Sequence, residues 1–305
     1  MNKVVIFGGL GNQMFQFALA ISMDSLGIPT KISVNDFIFQ KHYQGFELIK
    51  AFDIPVCFDD RFRVIYVSKL LRPIFVKSKL SFLSKVAKKV LYKQNKVFIE
   101  KNEFDFDTSV YSLKDSYLIG GWKSISYFES QKSLIQEVFN FKKPTDDINL
   151  SVSKKIESCN AVAVHIRRGN YSDPGLNQNR ILLDESDYYE RAFDHIRNQV
   201  ESPKFFIFSD DPEWVRLNCN KEDCFLISHN SGAKSYLDMY LMSRCKHFII
   251  ANSSFSWWPA WLSNYPEKIV VSPDSWESMD PKKTIFEKDW VVIPVCSKNT
   301  ELVAL

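Results

Sequence analysis

The second half of the chain alternates short, wholly apolar runs with mixed polar–apolar stretches. Runs at about 160–166, 204–209, 224–227, 247–251 and 268–272 predict buried strands. The stretches 187–198, 211–218, 234–243 and 255–263 predict helices between them. Segments such as Ala161-Val162-Ala163-Val164 and Phe248-Ile249-Ile250 show no inside–outside alternation, so both faces of their sheet must be covered. Strands alternating with helices of this length imply a parallel, doubly wound sheet. The first half opens in the same way: a strand at Val4 to Phe7, a turn at Gly8 to Gly11, a helix from Asn12 to Leu26 and a strand near 31–34. Residues 35–60 look irregular. Tyr117 to Gly121 returns to strand and 124–138 to helix. Asp146-Asp147, following Pro144, is the expected boundary between a domain over 1–146 and a second over 147–305.

A length of 305 residues accommodates two such domains. With 45% hydrophobic and 25% charged residues the composition is globular, which excludes a disordered or fibrous chain. The net charge of +3 excludes a general polycation of the nucleic-acid-binding kind and leaves room for a local basic patch. That charge is unevenly placed. Residues 61–101 hold twelve basic residues against the single acid Glu100, a local +11. Within that stretch Leu80, Leu83, Val86, Val90 and Leu91 fall near one helical face, flanked by Lys85, Lys88 and Lys89. Two readings stand: a solvated helix face packed on the N-terminal sheet, or a helix lying on an anionic membrane surface. No apolar run approaches the ~20 residues of a membrane span, and Asn2-Lys3 running directly into Val4-Val5 does not read as a cleavable leader. A cytoplasmic protein is expected. The six cysteines lack CxxC spacing and the five histidines lack HExxH spacing, so reduced thiols and no metal are expected.

Ligands of open parallel sheets bind beyond the carboxyl ends of the strands. His165-Ile166-Arg167-Arg168-Gly169-Asn170 follows one strand, Asp210-Asp211-Pro212 another, and Asn252-Ser253-Ser254-Phe255-Ser256 a third. Taken singly, Ser253-Ser254 is an ordinary helix cap and Arg167-Arg168 an ordinary source of surface ion pairs. Together on one edge they describe a nucleoside diphosphate pocket: a helix N-terminus and planar guanidinium donors for phosphate oxygens, with a carboxylate for a guanine edge. In the first domain Gly8-Gly9-Leu10-Gly11 is a poor dinucleotide fingerprint, because Met14 stands where a third glycine belongs. It still makes a tight turn that admits a ligand to the backbone, with Asn12 and Gln13 opening a helix after it. Asp105-Phe106-Asp107 has the acid-x-acid form that holds a divalent cation, but Glu103 to Asp107 reads as simple alternation in a half-exposed strand.

Five segments resemble the α-1,2-fucosyltransferases: GGLGNQMFQFALA (Gly8 to Ala20), GGWKSISYF (Gly120 to Phe128), HIRRGNY (His165 to Tyr171), FSDDPEWV (Phe208 to Val215) and NSSFSWWPAWL (Asn252 to Leu262). They run in the family's order over most of the chain. The resemblance implies a GT-B-like fold of two Rossmann-like, doubly wound domains facing a cleft. It implies transfer of L-fucose from GDP-L-fucose to the 2-hydroxyl of a terminal galactose, with inversion and without a metal or other cofactor. By the same resemblance Arg167 holds the β-phosphate, with His165 and Arg168 near the nucleotide. Asp210 reads guanine, Ser253, Ser254 and Phe255 line the diphosphate, and Asn12 faces the fucose beside Gly9 and Gly11.

The chain departs from the family pattern at Asn170, where an aspartate is expected. An amide keeps the hydrogen-bonding shape but cannot ionise, so residue 170 cannot be a general base. Asp173 or a late proton loss to phosphate are the remaining routes. The implied acceptor is a galactose-terminated glycan, carried in a bacterium on a lipid at the cytoplasmic face of the inner membrane; nucleic acid is not an expected partner. The alternative is a non-catalytic nucleotide-sugar or glycan binder on the same fold.

Overall fold

A computed structural model describes residues 1–34, 44–54, 96–168, 182–219, 221–276 and 285–295. The chain forms two compact units, Met1–Phe141 and Lys142–Leu305. The expected boundary at 146–147 falls just inside the second unit, where the Asp146 carboxylate accepts from the Asn149 N–H at 2.9 Å and caps that unit's first helix.

In the first unit the strands β1 (Asn2–Val5), β2 (Thr30–Ser33), β3 (Lys96–Ile99) and β4 (Ser116–Ile119) form one parallel sheet in the order β2-β1-β4-β3. Helix α1 (Leu10–Ser25) connects β1 to β2, and buries Met14, Phe15, Ala18 and Leu19 completely. A short α2 (Leu48–Ala51) and α3 (Lys132–Val138) complete the regular helices described here.

Three expectations are corrected in this unit. Lys96–Ile99, within the basic helix-prone stretch, is a strand: the run Val97-Phe98-Ile99 suits a pleated surface, and parallel pairing with Ser116–Ile119 overrides local composition. The helix expected over 124–138 is only α3, preceded by two single 3₁₀ turns at Ile125–Tyr127 and Glu129–Gln131. Those turns let Tyr127 and Phe128 both enter the core. Glu103 to Asp107 is not a strand but a turn: the Asp107 N–H donates to the Tyr127 hydroxyl at 2.9 Å, and the Asp107 carboxylate caps the 3₁₀ helix Thr108–Ser112. Hydrogen bonds from Ser109 hold the Asp107 pKa below its ordinary value. Among the described residues no group of His, Cys, Asp and Glu is arranged to hold a metal ion.

The second unit carries the larger sheet. Its strands β5 (Ala161–Ile166), β6 (Lys204–Ser209), β7 (Cys224–Ile227), β8 (His247–Ile249), β9 (Val270–Pro273) and β10 (Val291–Ile293) are all parallel, in the order β10-β9-β8-β5-β6-β7. Helices α4 (Asp147–Glu157), α5 (Tyr188–Gln199), α6 (Pro212–Asn218), α7 (Tyr236–Ser243) and α8 (Ser254–Leu262) alternate with the strands. All six residues of β5 are buried, as its unbroken apolar run requires of a strand covered on both faces. α4 and β10 are additions to the sequence reading. The moderate amphipathicity of 147–157 and the three-residue length of β10 leave little periodic signal.

Both units are Rossmann-like α/β sheets of the GT-B-like class. Most of the basic stretch 61–101 lies outside the described residues. Among the described residues no helix is long and apolar enough to cross a membrane.

Candidate functional site

The strand order of the second unit decides where its site lies. From β5 the chain moves outward through β6 and β7 on one side, then returns to fill β8, β9 and β10 on the other. The switch point is therefore between β5 and β8, and the residues at and beyond their carboxyl ends are His165 to Arg168 and Asn252 to Phe255.

Helix α8 begins at that point. Ser253 is its N-cap, with its hydroxyl accepting from the Phe255 N–H at 3.3 Å. Ser253, Ser254 and Phe255 are half-exposed, whereas Ser256, Trp257, Trp258 and Trp261 are buried. The tryptophans of this motif are thus core: the Trp257 indole N–H donates to the Ile285 carbonyl at 2.7 Å, and its ring lies 5.7 Å from that of Trp261. Only the first turn can meet a ligand.

His165 joins β5 to that turn. Its Nδ1 lies 2.9 Å from the Ser256 hydroxyl, and its ring centroid is 5.5 Å from that of Phe255. Burial, reinforced by the Arg167 charge and opposed by Asp210, pushes its pKa down to about 3. His165 is therefore a neutral imidazole at working pH and holds α8 in place; it is not a cation for phosphate.

The two adjacent arginines part company. Arg167 stays at the edge, its Nη1 2.6 Å from Asp210 Oδ2, with both side chains partly exposed. Arg168 turns away. Its Nε and Nη1 each lie 2.6 Å from a carboxylate oxygen, of Asp184 and Asp211 respectively, and its guanidinium sits 4.9 Å from the Trp214 ring centroid. Its backbone N–H donates to Asp210 Oδ1 at 2.9 Å. Asp211 also caps α6 through the Trp214 N–H at 3.1 Å. Arg168 thus reaches the edge only through its backbone, by fixing Asp210. Below this cluster a groove of about 440 Å³ runs between α5 and α6, with Asp184 and Trp214 among its lining.

Sequence reasoning missed two supports of this edge. The tyrosine pair at the start of α5 clamps the strand ends: the Tyr189 hydroxyl donates to the His165 carbonyl at 2.9 Å, and the Tyr188 hydroxyl lies 2.6 Å from the Ile250 carbonyl oxygen. Beyond β7 a buried network joins Asn149, Asn230 and Asp238: Asn230 Nδ2 donates to Asn149 Oδ1 at 2.9 Å and to Asp238 Oδ1 at 2.8 Å. Burial raises the Asp238 carboxyl to about 7, against the Asn230 hydrogen bond. No motif marks these residues; their role follows from where the strands end.

His165, Arg167, Asp210, Ser253, Ser254 and Phe255 are thus gathered at one switch point. Gly9, Gly11 and Asn12 belong to the other unit, at the matching edge of its sheet. There Gly9 is the N-cap of α1 and Gly11 is buried in the helix. Gly8 has φ +79°, and a Cβ on it would lie 3.0 Å from the Asn12 side-chain nitrogen. Asn170 and Asp173 lie outside the described residues.

The sequence pattern of Glycosyl transferase family 11 matches residues 1–294. The chain belongs to this family. Among its relatives is the O-antigen biosynthesis glycosyltransferase WbnK of Escherichia coli, 30% identical and aligned over 93% of this chain and 97% of that protein. The alpha-1,2-colitosyltransferase of E. coli is 31% identical over 88% of this chain and 90% of that protein. The galactoside alpha-(1,2)-fucosyltransferase 1 of Lagothrix lagotricha is 28% identical over 43% of this chain and 38% of its own. Among solved structures, the fucosyltransferase NodZ from Bradyrhizobium aligns with a TM-score of 0.49 at 17% identity, over 86% of this chain and 92% of that one.

Proposed function

We propose that this family 11 glycosyltransferase moves L-fucose from GDP-L-fucose to the 2-hydroxyl of a terminal galactose, inverting the anomeric carbon without a metal. The observation that carries the reading is the Arg167–Asp210 pair standing at the same switch point as the N-terminus of α8. In this reading the diphosphate lies against α8's first turn and accepts from the Arg167 guanidinium. As the bond from the anomeric carbon to the β-phosphate oxygen breaks, negative charge grows on GDP. A fixed guanidinium and a helix N-terminus stabilise it without reorganising. Asp210, held by Arg167 and by the Arg168 N–H, keeps lone pairs for the two N–H groups of a guanine edge. Arg168 serves this site by positioning Asp210. Asn12, beside the Gly8–Gly9 turn of the other unit, faces the transferred sugar, and the acceptor binds on that unit. Asn170 contributes hydrogen bonds and no base, so the 2-hydroxyl proton leaves late, to the departing phosphate, as the new bond to the anomeric carbon forms. The acceptor in this reading is a lipid-linked glycan at the cytoplasmic face of the inner membrane, and one relative is named for O-antigen biosynthesis.

One relative is named for colitosyl transfer, which makes the donor sugar a second reading. Colitose is L-fucose without its 3-hydroxyl. A site that hydrogen-bonds that hydroxyl discriminates strongly against the deoxy sugar, whereas a site that merely accommodates it does not. The test offers GDP-L-fucose and GDP-colitose in turn with β-galactosides in EDTA, and determines the product linkage by NMR. A 2-linked fucosyl galactoside is the expected product. Preference for GDP-colitose would replace the donor, and activity restored only by Mn²⁺ would overturn the metal-free mechanism. GDP binding with no transfer to any galactoside would favour a non-catalytic binder.

A further inference from the structure

Buried polar groups that the proposed reaction leaves unused converge on one place in the N-terminal unit. In the order β2-β1-β4-β3 the strands leave β1 in opposite directions, so the switch point of this sheet lies between β1 and β4. Two fully buried glutamines of α1 brace it. Gln16 accepts from the Phe7 N–H at 2.9 Å and donates to the Gly120 carbonyl at 3.3 Å, tying the end of β1 to the end of β4. Gln13 donates to the Gly8 and Gly45 carbonyls, each at 2.9 Å, and accepts from the Glu47 N–H at 2.8 Å.

Glu100, immediately after β3, continues this chain of contacts. Its Oε2 accepts from the Gly121 N–H at 2.7 Å and the Trp122 N–H at 2.9 Å. Its Oε1 is buried with no hydrogen-bond partner among the described residues. The turn it holds is under constraint. Trp122 has φ +55°, a left-handed conformation that a bulky residue adopts only where its surroundings impose it. Neither preceding glycine has room for a side chain: a Cβ at Gly120 would lie 2.4 Å from Glu100 Oε2, and one at Gly121 would lie 2.3 Å from Glu103 Oε2. Among the described residues the titratable and charged groups facing Glu100 are Glu103, Lys123 and Tyr127, with Glu103 and Lys123 paired at 2.7 Å.

We propose that Glu100 is a positioning residue for the acceptor sugar: its carboxylate sets the Gly120–Gly121–Trp122 turn at the switch point, and that turn, with the Gly8–Gly9 loop, shapes the surface the acceptor meets. The inference rests on the reading of the chain as a transferase with its acceptor on this unit. A glutamine would satisfy both N–H groups without burying a charge, so folding alone gives no reason for a carboxylate here. Burial raises the Glu100 pKa to about 7, against the two N–H bonds and Lys123 and helped by Glu103. Its folded value lies above the ordinary 4.5, so stability that is full below that pH is lost as the pH rises toward 7. A carboxyl that grips two N–H groups of the turn through one oxygen, while its other oxygen stays buried at the switch point, points to a role beyond folding.

Glu100→Gln tests this beside the unaltered enzyme. At about pH 8 the variant should melt no lower than the unaltered protein, because a buried charge has gone. GDP affinity and the donor KM should be unchanged. The acceptor KM should rise on the order of tenfold, because the amide holds the turn by neutral hydrogen bonds about half as strong as those to the carboxylate. In the unaltered enzyme the acceptor KM should climb as the pH falls through about 7, while in the variant it stays flat. An unchanged acceptor KM, or an effect confined to kcat or to the donor KM, would overturn the proposal. If the variant does not fold, the unaltered enzyme decides: an acceptor KM that is flat from about pH 6 to about pH 8 overturns it equally. Transfer that ignores Glu100 sinks this proposal alone, whereas absence of any transfer by the unaltered protein sinks the transferase reading and this proposal with it.

Discussion

Arg167 and Arg168 are the same residue type side by side, and their surroundings give them different work. Arg167 faces the strand edge with Asp210, while Arg168 is held between Asp184 and Asp211. Arg167→Ala is expected to lower kcat by ~10²–10³, the usual effect of removing one electrostatic stabiliser of developing charge. The fold should remain intact, because the side chain is 30% exposed. Steady-state kinetics with a melting curve on the same sample measures both. His165 makes a different prediction. Its burial as a neutral ring depresses its pKa from 6.5 to about 3, so the stability it contributes is full above 6.5 and is lost as the pH falls below that value. The loss is ~1.4 kcal/mol for each pH unit below 6.5 until the folded value is reached. His165→Gln should therefore lose less melting temperature than the unaltered protein between about pH 7.5 and about pH 5.5.

At the scale of elements, α8 shows how one helix serves core and site at once. Its interior is an aromatic wedge of Trp257, Trp258 and Trp261, all buried, on a helix that packs against α7. Its first turn stays half-exposed, and Ser256 ties that turn to β5 through His165. Ser253→Ala removes the cap and should cost about 1 kcal/mol of stability, the usual price of an N-cap serine. It should also raise the donor KM, since the capped turn is the proposed diphosphate seat. Chemical denaturation and donor titration separate the two effects. A stability loss with no change in donor KM would reduce Ser253 to a helix cap.

For the whole molecule, charge is the organising feature. Residues 61–101 carry +11 in a chain of net +3, so the remainder is net acidic. An anionic membrane surface attracts such a segment by about 1 kcal/mol for each basic residue brought near it, an attraction that salt screens. The expected outcome is sedimentation with anionic vesicles at low salt, weakened by high salt and by reversing the charges of Lys85, Lys88 and Lys89. No sedimentation with anionic vesicles at low salt leaves the solvated-face reading.

The unbroken apolar runs of β5 and β6 and the helices between strands determined by themselves that the chain carries parallel, doubly wound sheets, because a strand covered on both faces shows no polar alternation. The motifs at the ends of β5 and β8 likewise marked the residues that meet at the switch point of the second sheet, where the diphosphate is proposed to lie. Local pattern did not reach β3, hidden by the lysines around it, or the short β10, whose parallel pairing is a long-range event. Nor could it separate Arg167 from Arg168, mark His165 as neutral, or reveal that Glu100 closes on the Gly120–Trp122 turn. Each of these depends on which groups lie within hydrogen-bond reach and how much water is excluded around them. Those quantities exist only after distant segments have packed. The sequence determined the sheets and the edge that carries the candidate residues; the tertiary structure decided which side chains face that edge and which are buried or paired.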